Sequence, residues 1–144
     1  MSAEGNTALL RRYVDQVWHQ GNLSALDDFL APGYRRHVSP TAQPLTREGQ
    51  MQRLAGFRAA FPDAELTVED VLADDDRLAF RSTLRGTHRG AFQGVAPTGS
   101  RVAGSLVDVV SIEEDRFVEQ WDGPDVLGLP RQLGASVTVE KDQT

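Results

Sequence analysis

Two aspartates carry the main chemical interest of this chain. Asp122 ends the stretch FVEQWD and is followed at once by Gly123-Pro124, with Asp125 three residues on. Asp108 lies in SLVDVVSI, on the same alternating face as Val102, Leu106, Val110 and Ile112. A carboxylate on an apolar strand face is costly unless it is paired or neutral. Two that converge there cannot both ionise freely: one pKa rises, and the pair can hold a proton near neutral pH, one group as acid and the other as base. Convergence depends on the hairpin that turns near Glu114-Asp115. A two-residue turn places Asp108 opposite Trp121, whereas a three-residue loop or one bulge places it opposite Asp122. Taken alone, Asp122 is a polar residue capping a strand end, and Asp108 is open to a structural or a functional role.

The remaining polar candidates are weaker. His88 shares strand parity with Leu78, Phe80 and Leu84 but borders a Gly-rich loop; His37 precedes a turn at Ser39-Pro40; His19 follows Trp18 at a helix end, where the helix dipole suffices to explain it. Widely separated histidines with no HxH or HExxH spacing make no metal motif, and there is no P-loop, GxGxxG or GxSxG. Cysteine is absent, which removes disulfides, thiolate chemistry and Cys-type zinc sites. Neither a cofactor nor a metal is expected.

The elements that must position these residues follow from periodicity. The chain has 144 residues and a net charge of −6, which fits one domain over 1–144 and argues against a nucleic-acid binder. Without a signal-peptide core or a membrane-length apolar run, the expected location is the cytoplasm, with no membrane partner. Leu9, Leu10, Tyr13, Val14, Val17 and Trp18 recur at helical spacing from Thr7 to about His19, with Asn6 as N-cap and Gly21 as stop. NLSALDDFL reads as a short helix ended by Ala31-Pro32-Gly33, and YRRHVS as a short strand. An amphipathic helix follows, capped by Thr46 and stopped by Pro62. The period then becomes two. One hairpin turns at Asp74-Asp75-Asp76 and a second near Glu114-Asp115, with the Gly/Pro-rich RGAFQGVAPTG between them. Helices first and antiparallel strands afterwards predict an α+β domain whose helices cover one face of a curved, mainly antiparallel sheet. Such a cone can enclose an apolar pocket. The tail from about residue 135 is expected to be mobile.

The stretches VWHQGNLSALDDFLAPGY, FRAAFPDAEL, RGTHRGAFQGVAPTGSRV and VEQWDGPDVLGLPRQLG together resemble the SnoaL-like polyketide cyclases of the NTF2-like superfamily, from about Leu9 to Gly134. The resemblance implies a cone with an apolar pocket, a polyketide-like small-molecule substrate, and a homodimer or higher homo-oligomer. It implies that Asp122, matching a strand-end aspartate, is the acid/base of a cofactor-independent ring closure, with Asp108 completing the proton relay. His88, His37, Trp18, Leu106, Trp121 and Phe61 would shape the pocket. The aldol cyclases of the family carry glutamine and histidine where this chain has Leu106 and Asp108. Superfamily epoxide hydrolases use an Asp-Arg-Asp arrangement; Leu106 occupies the expected arginine position, which counts against water activation. An epoxide-opening or hydroxylating enzyme and a non-catalytic binding module are the alternatives.

Overall fold

The computed structural model describes residues 2–124 and 128–134. Helix α1 (Ala3–Tyr13) runs into a π-helical turn, Val14–His19. A 3-10 turn, Leu23–Ala25, leads to the short α2 (Leu26–Phe29) and strand β1 (Leu30–His37). After α3 (Arg47–Ala60) come β2 (Glu65–Ala73), β3 (Arg77–Thr87), β4 (Arg101–Glu113) and β5 (Arg116–Pro124), then α4 (Gly128–Gln132). The sheet order is β1-β5-β4-β3-β2. Every neighbouring pair is antiparallel except β1 with β5, so the sheet is mixed and mostly antiparallel, as the period-two segments predict. The expected mobile tail lies outside the described residues.

The helices cover one face because their apolar stripes have only that face to bury against. Leu9, Leu10, Tyr13, Val14 and Val17 join Leu78, Phe80, Val110, Ile112 and Phe117 in a single core. Thr46 caps α3 as expected, its hydroxyl accepting from the Gly49 amide at 3.1 Å. Asn6 does not cap α1. That helix starts earlier, on Ser2, and the buried Asn6 amide donates to the carbonyls of Asp74 and Asp75 at 2.8 and 2.9 Å. It thereby fastens α1 to the acidic turn between β2 and β3.

Ala31-Pro32-Gly33 corrects a second boundary. The short helix expected there is present but α2 already ends at Phe29, and these residues lie inside β1, whose pairing with β5 shifts between Leu30 and Arg35. An edge strand with an irregularity tolerates a proline that lacks an N–H. On the outer sheet face Val107 and Val109 are 52% and 37% exposed.

Candidate active site

The last hairpin brings the aspartates together. Glu114 and Asp115 have φ of 51° and 59°, the double positive φ of a two-residue turn matched to strand twist. Ile112 pairs with Phe117, but Ser111 pairs with Glu119, which leaves Val118 as an extra residue. That bulge advances the register by one, and Asp108 falls opposite Asp122. It also switches the parity within β5, so that the buried residues are Phe117 and Gln120. Both carboxylates face the helices, with side chains 4% and 0% exposed.

Between them sits Arg36, which sequence pattern alone does not single out. In β1 the alternation that buries Tyr34 also buries Arg36, and register sets Arg36 beside Gln120. Its Nε donates to Asp122 Oδ2 at 3.1 Å, and Nη2 bridges Asp122 Oδ1 and, at 3.5 Å, Asp108 Oδ2. Nη1 donates to the Tyr34 hydroxyl at 3.3 Å. That hydroxyl donates to Gln120 Oε1 at 2.7 Å, and Gln120 Nε2 donates to Asp108 Oδ2 at 2.7 Å. A second guanidinium reaches in from α3, where Arg53 Nη1 lies 3.2 Å from Asp122 Oδ2. An Asp-Arg-Asp arrangement is therefore present, its arginine supplied by β1. The expectation that Leu106 empties this role fails because position along one strand is not the only route into a site; a neighbouring edge strand projects into the same space.

The electrostatics of the group follow from burial and charge pairing. Burial pushes the Asp108 carboxyl up to about 6; Arg36 opposes this, the Asp122 charge adds to it, and the hydrogen bond from Gln120 opposes it. Burial works against the charge on Arg36, but Tyr34, Asp122 and Asp108 outweigh it and hold the pKa above the usual arginine value. Burial, then repulsion from Arg36, lowers Arg53. Burial raises both Tyr34 and Tyr13. Among the described residues, Asp108 Oδ1, Ser82 Oγ and Gln50 Nε2 are buried without a hydrogen-bond partner. Ser82 faces the same side as Asp108, two pairs along the strands.

The other expected site residues separate into distinct places. Leu106 is half-buried on the Asp108 face and packs against the core. Trp18 is partly buried and packs against the core. It also makes an edge contact with Phe57. Phe57 stacks on Phe61 at 4.8 Å and Phe61 on His88 at 5.5 Å, forming an aromatic cluster at the far end of the sheet. Thr87, next to His88, lies seven residues along β3 from Phe80, the partner of Asp108, roughly 24 Å of strand. His37 and Trp121 do not line the aspartate face. Adjacent strand residues point oppositely, so Trp121 follows Gln120 outward, stacks on His37 at 5.4 Å and is 37% exposed. His37 pairs there with Glu119 at 3.2 Å. Two surface clefts, of about 430 and 290 Å³, are lined by residues such as His19, Arg58 and Asp63, and Leu72, Arg77 and Val109. Neither includes an aspartate of the pair.

Two sequence stretches that support the family resemblance have structural work to do. In RGTHRGAFQGVAPTG the buried His88 accepts from the Thr98 amide at 3.2 Å through Nδ1. Gly99 adopts φ +72°, and a Cβ on Gly90 would sit 2.4 Å from the Ala59 carbonyl oxygen. Beyond the end of β5, Gln132 takes its place beside β4: its side chain accepts from the Ala103 amide at 2.9 Å and donates to the Ala103 carbonyl at 2.6 Å. Among the described residues no group of His, Asp and Glu could hold a metal ion, and no helix is long and apolar enough to cross a membrane.

Helices on one face of a five-stranded, mostly antiparallel sheet, with paired acids facing those helices, define an NTF2-like domain with a buried Asp-Arg-Asp centre. More specifically, the sequence profile of the SnoaL-like polyketide cyclases matches residues 8–133, and the chain belongs to that family. It is 25% identical over 120 residues to nogalonic acid methyl ester cyclase of Streptomyces nogalater, covering 82% of this chain and 90% of that one. Among solved structures, AclR of Streptomyces galilaeus, a proposed hydroxylase, is 31% identical with a TM-score of 0.84, over 92% of this chain and 98% of that one. IdmH of Streptomyces antibioticus, a proposed polyketide cyclase, is 28% identical with a TM-score of 0.80, over 90% and 99%.

Proposed function

We propose that this protein is a cofactor-independent cyclase that closes a ring in a polyketide-like intermediate, with Asp122 and Asp108 as its acid–base pair. The observation that carries the reading is the register-matched pair of buried aspartates bridged by Arg36, with the Asp108 proton poised near pH 6. Asp122, as the carboxylate, takes a proton from an acidic carbon between carbonyls. The enolate attacks a second carbonyl of the same molecule, and protonated Asp108 donates to the oxygen that becomes the alkoxide. One C–C bond forms, no atoms are lost, and exchange with water restores both acids. Positioned general acid–base groups of this kind contribute roughly 10²–10⁴-fold. The unpaired Asp108 Oδ1 and Ser82 Oγ supply polar contacts for substrate oxygens. Leu106, on the Asp108 face, and Trp18 supply apolar wall to this site.

The bridging arginine favours one second reading, in which the same pair activates water for epoxide opening or hydroxylation. Mass spectrometry of the intermediate that accumulates on gene deletion separates the two. Ring closure leaves intermediate and product equal in mass; a product heavier by water or oxygen overturns the cyclase and supports the alternative.

A homodimer belongs to the same proposal. Leu72, Ala79, Val109 and Trp121 align across β2, β3, β4 and β5 on the outer face, with Leu72 77% exposed. A second copy covering this row would remove apolar surface from water. Sedimentation velocity is expected to show a dimer, and a monomer at micromolar concentration would remove this part of the proposal.

A further inference from the structure

We infer that Arg53, with Gln50 beside it, is the substrate-facing anion clamp of this site and selects ligands bearing an acidic oxygen. The inference rests on reading the aspartate pair as the substrate site, and it adds the ligand's charge. Arg53 is the member of the polar group that meets solvent. Its side chain is 40% exposed, whereas those of Arg36, Asp108 and Asp122 are 5%, 4% and 0% exposed, and Tyr34 and Gln120 are buried. A molecule approaching Asp122 from outside therefore meets Arg53 first.

The two guanidiniums on Asp122 are not equivalent. Arg36 is embedded in β1 and donates to both aspartates and accommodates Tyr34. Arg53 holds Asp122 through one nitrogen, from the end of a long side chain on a helix. When it turns from Asp122 toward an incoming oxyanion, Asp122 keeps its Arg36 contacts and the charge count of the protein is unchanged. Gln50, one helical turn earlier, accepts from Arg53 Nη1 through Oε1 at 3.4 Å. Its Nε2 is buried and unpartnered among the described residues. A buried amide N–H without an acceptor carries a desolvation penalty that a ligand oxygen would relieve. A planar guanidinium and a neighbouring N–H donor together suit an enolate, a phenolate or a carboxylate.

Calorimetric titration with anthraquinone-2-carboxylate and anthraquinone-2-carboxamide tests this without reference to turnover. The intact protein is expected to bind the carboxylate about tenfold or more tightly than the carboxamide, since a hydrogen bond to a charged group outweighs a neutral one by that order. Arg53→Met should lower carboxylate affinity more than carboxamide affinity and so abolish the preference, and Arg53→Lys should restore part of it. Gln50→Met should weaken the carboxylate more than the carboxamide. Equal affinities in the intact protein, a preference that survives Arg53→Met, or no binding of either probe overturns the inference. An Asp122 variant that keeps full turnover would instead overturn the acid–base reading and leave the charge preference to stand or fall on the titration.

Discussion

Asp122→Asn is expected to lower turnover of the natural substrate by roughly 10²–10⁴-fold. The change removes a base while keeping the shape and an oxygen that can still accept from Arg36 Nε and Arg53 Nη1. Thermal denaturation, measured alongside, separates lost chemistry from lost fold, and undiminished turnover in a folded variant would take Asp122 out of the reaction. The pH profile distinguishes the partners. Asp108 is raised to about 6, so as the acid it is active below that value and its contribution fades as pH rises through it. Asp108→Asn should remove this limb. The stability sign is the same: a carboxyl raised in the folded state favours folding below its ordinary pKa, and that contribution is lost as pH climbs through about 6. Asp108→Asn should therefore melt higher than the unaltered protein above pH 6, relative to its behaviour at pH 4. If Asp108→Asn alone abolishes turnover while Asp122→Asn does not, the two roles are exchanged.

What could be read from the sequence was what depends on short-range pattern. The helical recurrence of Leu9, Leu10, Tyr13, Val14 and Val17, and the alternation of β3, fix which faces are apolar, and those faces form the core. The turn at Glu114-Asp115 is local and was legible too. The bulge at Val118 was not, because nothing in RFVEQWD distinguishes an extra residue from a continuous strand; pairing with Ser111 and Ile112 decides it. That one residue determines whether Asp108 meets Trp121 or Asp122.

Arg36 shows a different limit. Its inward direction was available from Tyr34-Arg35-Arg36, since a buried tyrosine fixes the parity of a strand. What parity cannot reveal is that β1 joins the sheet in parallel beside β5, far away in sequence, and so aims Arg36 at the aspartates. Arg53 is harder still. It neighbours Leu54, a core position, and only the docking of α3 decides that its guanidinium reaches Asp122. His37 and Trp121 fail in the opposite direction. His37 adjoins Arg36 and Trp121 adjoins Asp122 in sequence, and for that reason strand alternation puts them on the other face.

Arg36→Met is expected to destabilise the protein by about 3–5 kcal/mol, the usual consequence of leaving buried charge without its partner. Asp108 and Asp122 would remain with side chains 4% and 0% exposed, and of the two guanidiniums only the partly exposed Arg53 would be left. Because Arg36 is a leading influence holding the Asp108 carboxyl down, its loss raises that pKa further. The deficit should then be largest above pH 7 and shrink as acid protonates the carboxyls, which denaturant titrations at pH 5 and pH 8 can measure. A deficit below about 1 kcal/mol, or one independent of pH, would mean that Arg36 is not the cation on which the pair depends. The informative companion is the triple change Arg36→Met, Asp108→Leu, Asp122→Leu, which removes the charges together. Replacing a whole buried ionic group with apolar side chains is often neutral or stabilising, so the triple variant is expected to regain most of the lost stability. Recovery of fold without recovery of turnover would place the value of this group in its chemistry, whereas a triple variant as unstable as Arg36→Met would show that the fold itself requires it.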